Sequence, residues 1–261
     1  MSARPEERRM RTREHSALLT DLGSSRPLLL ATLAGAAGDA GIPRFEFVRT
    51  ASSIDVKRVF VRDVTQSWYQ GNMKGVGRGP GGVAKTLQQI VVREGIERSV
   101  LVGNSMGGFA ALIVGSLMGA DEVHAFSPTT FIGPFARLRH GDSRWWRHML
   151  RAYRRSLFLP MYFDVVPFLT RYDGPTRFRV HYSTEDAVDV IHAERLVGIP
   201  NVELLAYEHG GHELVMRLRD TDRLTAILRS SLFPEDATPA AEAERAGDAP
   251  RLLEARDEEP A

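Results

Sequence analysis

The chain has 261 residues, of which 43% are hydrophobic, and its formal net charge is +1 at pH 7. A charge this close to zero gives no global field that would recruit nucleic acid. Cysteine is absent, which excludes disulfides, thiolate nucleophiles and cysteine-ligated metal. No apolar run is long enough to span a bilayer, and the start of the chain lacks the apolar core of a signal peptide. We therefore expect a cytoplasmic protein with no integral membrane association and no nucleic-acid partner.

Two charged ends flank the part of the chain that can fold as one domain. Residues 1–25 are polar and rich in arginine, and we expect a charged extension with some helix around residues 17–19. Residues 234–261 hold nine acidic residues and three arginines, a net charge of −6. Such a segment buries too little apolar surface to offset its ordering entropy, so it is predicted to be a disordered acidic tail. Residues 26–233 have a length that suits one domain.

Strands and helices alternate along residues 26–233. Short apolar runs predict strands at residues 27–33, 45–48, 59–62, 99–102, 122–126, 177–182 and 202–207. Apolar residues at helical spacing predict helices at residues 82–93, 109–118, 187–197 and 221–232. This alternation predicts an α/β fold, with a mostly parallel central sheet flanked by helices.

Residues 128–175, called the insertion below, interrupt this alternation. The insertion is helical in places and rich in aromatic residues and arginine. Because it follows a strand directly, it is expected to lie over the carboxyl edge of the sheet, where open α/β sheets bind ligands. We interpret it as a helical cap that shapes a substrate pocket. Trp145 of the insertion, and Trp68 and Tyr69 of an earlier loop, are candidate substrate contacts, although that loop could equally be a packed surface loop.

The most informative motif runs from Gly103 to Gly108 and is called the elbow below. It contains the pattern G-x-S-x-G around Ser105, after an apolar strand and before a helix rich in small residues. In such a strand-to-helix turn, a serine hydroxyl projects from the end of the sheet on a strained backbone. Glycines are needed beside it because a side chain would collide with the neighbouring strand and helix. The context predicts that Ser105 is a nucleophile.

A reactive serine needs a base, and the base needs an acid that fixes its tautomer. Candidates follow Ser105 in the order acid and then histidine, which is the order that accompanies this motif. His212 follows two glycines and is preferred as the base over His209. Asp186 is preferred as the acid from its position in the loop after a strand. Asp189 is the alternative acid, and it could instead be the N-cap of the next helix.

Taken together, these motifs resemble the α/β-hydrolase fold family over roughly residues 27–232. The matching motifs are the elbow, the acidic loop from Glu185 to Asp189, and Gly210-Gly211-His212. With Trp68-Tyr69 and Ala125-Phe126-Ser127-Pro128, the pattern is similar to a bacterial subgroup without an assigned substrate. The resemblance implies Ser105 as nucleophile, His212 as base and a reaction that needs no cofactor.

The oxyanion that forms during acyl transfer needs two preorganised backbone donors. Met106, the residue after the nucleophile, is expected to provide one amide. The loop at Ala34 and Gly35, where the family often has His-Gly, is expected to provide the other. No group of residues has convincing metal-ligand spacing, so no metal is predicted.

The sequence therefore predicts a serine hydrolase of carboxylesterase or thioesterase type. It would cleave an ester, thioester or related acyl bond of a small-molecule substrate through an acyl-enzyme. Two alternatives stay open: an acyltransferase that uses the same residues, and a non-catalytic α/β-hydrolase-like binding or accessory module. The acyl group, the leaving group and the oligomeric state are left open.

Overall fold

A computed structural model describes residues 16–37, 45–156, 160–236 and 251–252 of the chain. The strands in these ranges are β1 (Leu18–Asp21), β2 (Leu28–Leu33), β3 (Lys57–Val61), β4 (Asn72–Met73), β5 (Gly77–Arg78), β6 (Arg98–Asn104), β7 (Glu122–Phe126), β8 (Arg177–Ser183), β9 (Val202–Tyr207) and β10 (Arg251–Leu252). The α-helices are α1 (Val48–Ala51), α2 (Gly79–Arg93), α3 (Met106–Met118), α4 (Pro134–Arg139), α5 (Trp146–Arg155), α6 (Val166–Thr170), α7 (Ala187–Glu194), α8 (Leu214–Asp220) and α9 (Arg223–Leu232).

Eight of these strands form one sheet, in the order β1-β3-β2-β6-β7-β8-β9-β10. The six inner strands, which are β3, β2, β6, β7, β8 and β9 in that order, pair in parallel. Strands β1 and β10 add to the two edges in antiparallel orientation. Strands β4 and β5 pair as a separate two-stranded ribbon. The predicted fold class, a mostly parallel sheet flanked by helices, is confirmed.

Alternate residues of the central strands face two different cores, because successive side chains of a strand point to opposite faces. Leu101 of β6 packs in the cluster that holds helices α2 and α3. Its neighbours Val100 and Val102 pack in the cluster that holds α8 and α9. Burial on both faces explains why these strands read as continuous apolar runs. It also places the carboxyl end of β6, and the elbow that follows, at the middle of the sheet.

Two segments in the first part of the chain differ from the sequence prediction. The expected strand at residues 45–48 is absent: Phe47 has φ 66° and helix α1 begins at Val48. Phe45 and Phe47 are buried anchors in the core, which produces the same alternating pattern as a strand. The expected helix around residues 17–19 is instead the edge strand β1, in which Leu18 pairs with Val61.

The ends of the predicted domain are described in part. Strand β10, which pairs with β9, lies within the segment that was expected to be a disordered tail. Residues 1–15, 237–250 and 253–261 lie outside the described residues. Helices α4, α5 and α6 belong to the insertion between β7 and β8. Among the described helices, none combines the length and the apolar character that a membrane span requires.

Candidate active site

Ser105 occupies a strained turn between β6 and α3. Its backbone has φ 51° and ψ −111°, a conformation that costs a non-glycine residue about 1–3 kcal/mol and that persists only where the surroundings enforce it. The surroundings are tight: a Cβ on Gly103 would overlap the Gly107 carbonyl, and a Cβ on Gly107 would overlap the Leu33 carbonyl. The amide of Ser105 donates to the Phe126 carbonyl of β7 at 2.9 Å. The elbow therefore fixes the direction of the serine side chain.

His212 brings an imidazole to Ser105 from the loop after β9. It lies in a short 3₁₀-helix, Gly211–Glu213, and its Nε2 is 3.1 Å from Ser105 Oγ. The two preceding glycines have φ 124° and 52°, which a side chain would resist, so the Gly-Gly pair allows the tight approach. His209 points elsewhere: its Nδ1 is 2.9 Å from Glu185 Oε1, and both side chains are exposed. Of the two histidines, it is His212 that meets the serine.

Asp189 completes the series of contacts from the first turn of α7. Its Oδ2 and Oδ1 lie 2.9 Å and 3.0 Å from His212 Nδ1, and the side chain is buried. Burial alone would raise the pKa of Asp189, but hydrogen bonds and charge from His212 and Arg144 outweigh it and lower that pKa. The group is therefore an ionised carboxylate at neutral pH. Because it can only accept, the proton of His212 lies on Nδ1 and leaves Nε2 free to accept from Ser105.

Asp186 makes different contacts from those that the sequence suggests. From sequence it is the preferred partner of His212, whereas the hydrogen bonds place Asp189 there. Asp186 is the N-cap of α7, and its Oδ1 accepts from the amides of Val188 at 3.0 Å and Asp189 at 2.9 Å. An N-cap side chain turns back onto its own helix, whereas the hydrogen bonds to the imidazole come from Asp189. Asp186 instead fixes the turn that presents Asp189.

Arg144 of the insertion reaches the same carboxylate. Its Nη1 is 2.9 Å from Asp189 Oδ1 and 3.7 Å from Asp186 Oδ1. Arg144 is itself held by Asp142, which accepts from the Arg144 amide at 2.9 Å and from Arg137 Nη1 at 2.8 Å. The insertion is thus tied to the site through an ion pair. One arginine in a basic segment carries no sequence signal for such a contact, since charge runs are usually solvated.

The same carboxylates raise the question of a metal. In the part of the chain that the structure describes, Asp186, Asp189 and His212 form one group close enough to hold an ion. The guanidinium of Arg144 contacts both of these carboxylates. The positive charge that an ion would supply is therefore already present.

The predicted oxyanion donors have different environments. Met106 is the first residue of α3, and the first amides of a helix have no intrahelical acceptor. The amide of Ala34 donates to the Val61 carbonyl at 2.9 Å, and that of Gly35 donates to Glu46 Oε2 at 2.8 Å. The Met106 amide thus fits the prediction, whereas the Ala34 and Gly35 amides are both engaged elsewhere.

The three aromatic residues predicted to contact substrate also divide. Trp68 and Tyr69 have 0% exposed surface, so neither lines an open pocket in this structure. The Tyr69 hydroxyl donates to the Ala34 carbonyl at 2.9 Å. Trp145 is half-buried beside Arg144 and makes an edge contact with the ring of His148, 5.6 Å between centroids. Trp145 therefore keeps its place as a candidate, and the loop of Trp68 and Tyr69 is packed.

Comparison with known proteins shows the fold. Neither a protein-family model nor a curated protein matches this sequence. Among solved structures, the capsule O-acetyltransferase of Neisseria meningitidis serogroup A is 14% identical with a TM-score of 0.58, over 79% of this chain and 88% of that one. A lipase-esterase related protein from Clostridium acetobutylicum is 14% identical with a TM-score of 0.53, over 82% and 98% of the two chains.

MenH from S. aureus gives the same picture, at 12% identity and a TM-score of 0.52, over 85% of this chain and 99% of that one. The chain has the α/β-hydrolase fold. At such low identity the likeness establishes the architecture alone. An α/β-hydrolase fold places a G-x-S-x-G serine at the top of the sheet, with an acid and then a histidine later in the chain. Ser105, Asp189 and His212 follow that order.

Proposed function

We propose that this protein is a serine hydrolase of carboxylesterase or thioesterase type. The observation that carries the proposal is the unbroken series of hydrogen bonds from Ser105 Oγ through His212 to Asp189. The series begins at a strained serine beside a helix N-terminus, where backbone amides point outward. Such an arrangement activates a hydroxyl for attack on an acyl carbon.

The proposed reaction follows from the direction of these hydrogen bonds. His212 Nε2 takes the proton as Ser105 Oγ attacks the carbonyl carbon of the substrate, and Asp189 stabilises the resulting imidazolium. The Met106 amide donates to the oxyanion of the tetrahedral intermediate. His212 then gives its proton to the leaving alcohol or thiol, and an acyl-enzyme remains on Ser105. Water, deprotonated by His212, attacks that acyl group, and His212 returns the proton to Ser105 Oγ as the bond to the serine breaks and the acid leaves.

An active-site-directed probe tests the proposal. A fluorophosphonate should label the wild-type protein on Ser105, because the reagent reacts with activated serines. Ser105→Ala should abolish labelling, and Ser143→Ala, at an exposed serine of the insertion, should leave it unchanged. A wild-type protein that resists the probe and hydrolyses neither esters nor thioesters would support a non-catalytic binding module instead.

Transfer of the acyl group to an alcohol is the second candidate, because one similar structure is an O-acetyltransferase. Both reactions share the acyl-enzyme and differ in what attacks it. Incubation with an activated ester and increasing concentrations of alcohol separates them. A hydrolase gives mostly free acid, whereas a transferase gives a new ester in proportion to the alcohol.

A further inference from the structure

The peptide between Ala34 and Gly35, just after β2, is held on both sides. The Ala34 carbonyl accepts from the Tyr69 hydroxyl at 2.9 Å. The Gly35 amide donates to Glu46 Oε2 at 2.8 Å. A peptide whose oxygen and nitrogen both have fixed side-chain partners cannot rotate without losing two hydrogen bonds.

This peptide lies directly against the elbow. A Cβ on Gly35 would come 3.0 Å from the Asn104 carbonyl, and Asn104 is the residue before the serine. The second oxygen of Glu46, Oε1, accepts from Asn104 Nδ2 at 3.2 Å. Glu46 therefore joins the loop after β2 to the elbow through one carboxyl group.

Both clamping side chains are themselves held in place. The Tyr69 amide donates to Asp63 Oδ2 at 3.0 Å, and Asp63 also accepts from the Ser67 amide at 2.6 Å. Burial raises the pKa of Tyr69 well above 10, so its hydroxyl keeps the proton that it donates. Burial likewise raises the pKa of Glu46, and its hydrogen bonds from Gly35 and Asn104 oppose that rise.

We propose that Glu46 and Tyr69 are positioning residues that clamp the Ala34–Gly35 peptide and so aim the next amide, that of Ala36, at the oxyanion. The Ala34 and Gly35 amides are engaged with Val61 and Glu46, so the proposal gives the role of donor to the amide that follows them in the loop. This inference rests on the proposed acyl chemistry. Its new content is the pair of side chains, Glu46 and Tyr69, that orient the loop expected to supply the second oxyanion donor.

The clamp predicts a specific pattern in steady-state kinetics. Glu46→Ala should lower kcat by about 10–100-fold, because a misdirected donor forfeits part of the roughly 10²–10³-fold effect of an oxyanion donor. KM for a short ester should change little. The affinity for a trifluoromethyl ketone, which forms an oxyanion on Ser105, should fall in parallel with kcat. Glu97→Ala, at an exposed glutamate beside β6, is the matched control and should change neither quantity.

A conservative variant separates positioning from folding. In Glu46→Gln the new carbonyl can accept from Gly35, and the new amide can donate to Asn104 Oδ1, a buried oxygen without a hydrogen-bond partner, once the Asn104 amide turns over. Most of kcat should therefore return. Tyr69→Phe should lower kcat in the same direction, and Glu46→Ala/Tyr69→Phe should cost less than the product of the two single effects, since both act on one peptide. Thermal unfolding of each variant reports stability separately.

Each outcome decides the inference. A reactive wild type whose Glu46→Ala variant keeps its kcat and inhibitor affinity overturns the clamp and leaves the serine hydrolase standing. Losses of kcat that follow Tm, and that Glu46→Gln shares in full, also overturn the clamp. A wild type that neither reacts with fluorophosphonate nor hydrolyses any ester overturns both proposals.

Discussion

Two regions of this molecule bring a serine, a histidine and an acidic residue into contact. The first is at the carboxyl edge of the sheet, where His212 joins Ser105 to Asp189. The second is buried between β7 and α9, where Ser231 Oγ lies 2.8 Å from His124 Nε2 and 2.9 Å from Glu122 Oε1. The residue types are the same, so any difference in reactivity must come from geometry and surroundings.

The buried group forms a line of hydrogen bonds whose directions can be deduced. Glu122 can only accept, because contacts with His124, Arg179 and Ser231 outweigh its burial and lower its pKa to about 2. The Ser231 hydroxyl must then donate to Glu122 and accept from His124 Nε2. His124 Nδ1 accepts from His181 Nε2 at 3.0 Å, and His181 Nδ1 accepts from the Tyr207 hydroxyl at 3.0 Å. Both imidazoles are neutral in this arrangement.

The two groups differ in the group that accepts the hydrogen bond from the serine hydroxyl. The Ser231 hydroxyl donates a hydrogen bond to a carboxylate and accepts one from the imidazole, so the imidazole is not placed to act as its base. Ser105 donates to the imidazole, and the carboxylate lies on the far side of the ring, where it would stabilise an imidazolium in the proposed reaction. Ser231 also belongs to a regular helix, whereas Ser105 has positive φ and immediately precedes the first residues of a helix. Under the proposed function, these three residue types are therefore reactive in one order and structural in the other.

The sharpest test compares the two serines. Ser105→Ala should reduce turnover of an activated ester by about 10⁶-fold, the loss that follows removal of a nucleophile from such a set. Ser231→Ala should keep turnover and instead lower the free energy of unfolding by about 1–3 kcal/mol, because buried polar partners lose a hydrogen bond. Ester hydrolysis and urea unfolding measure the two effects. Equal turnover in wild type and Ser105→Ala would assign the reactivity elsewhere.

The two aspartates of α7 give the next largest contrast. Asp189→Asn should lower kcat by about 10⁴-fold, because an asparagine partner can favour the wrong tautomer of the imidazole. Asp186→Ala should lower the free energy of unfolding by about 1 kcal/mol through loss of the N-cap, with a smaller effect on kcat. If Asp186→Ala proved the more damaging of the two for kcat, the contact between Asp189 and His212 would not be the functional one.

A pair of glycine variants tests the steric account of the elbow, in which close backbone contacts require glycine beside Ser105. Gly107→Ala should destabilise the protein by more than about 4 kcal/mol or prevent folding, because the new Cβ would overlap the Leu33 carbonyl. Gly133→Ala is the matched control: its Cβ meets open space and its φ is −61°. Thermal unfolding of the two variants should therefore differ widely, and similar Tm values would contradict the steric account.

Acid should weaken the buried group at mildly low pH. Burial lowers the pKa of His124 and that of His181. In the unfolded chain a histidine has a pKa near 6.5, so below that pH the unfolded state binds protons that the native state does not bind. Stability should hold above about pH 6.5 and fall as the pH drops below it, by up to about 1.4 kcal/mol per pH unit for each histidine. Urea unfolding between pH 7.5 and 5.5 measures this slope. Replacing His181 by glutamine should make it shallower, although buried His192 keeps contributing in the same direction.

Much of this architecture is readable from the sequence. The strands before and after the elbow are apolar on both faces, and the elbow glycines are required by contacts that a side chain would block. His212 could be preferred over His209 because it follows two glycines, and in the structure both of these glycines have positive φ. The periodicity of apolar residues and the positions of small residues are local properties, so they can be recognised in a single sequence.

Other features depend on contacts that no local pattern records. Asp186 and Asp189 are three residues apart, and which of them turns back onto the helix depends on backbone angles at the N-cap. Glu46 lies between two phenylalanines whose burial mimics the alternation of a strand. Tyr69 lies in a loop where non-glycine residues adopt positive φ, and Asp63 holds this loop by accepting hydrogen bonds from it. The amino-acid composition gives no sign of such a loop.

One residue borders both groups. The carbonyl of Phe126 receives the Ser105 amide, and its ring stacks on His181 with 4.3 Å between centroids. A change in the size of that ring would disturb the position of Ser105 on one side and the paired imidazoles on the other. Stability in acid and turnover therefore both depend on Phe126. Variants at this position that are selected for one of these properties should show a trade-off in the other.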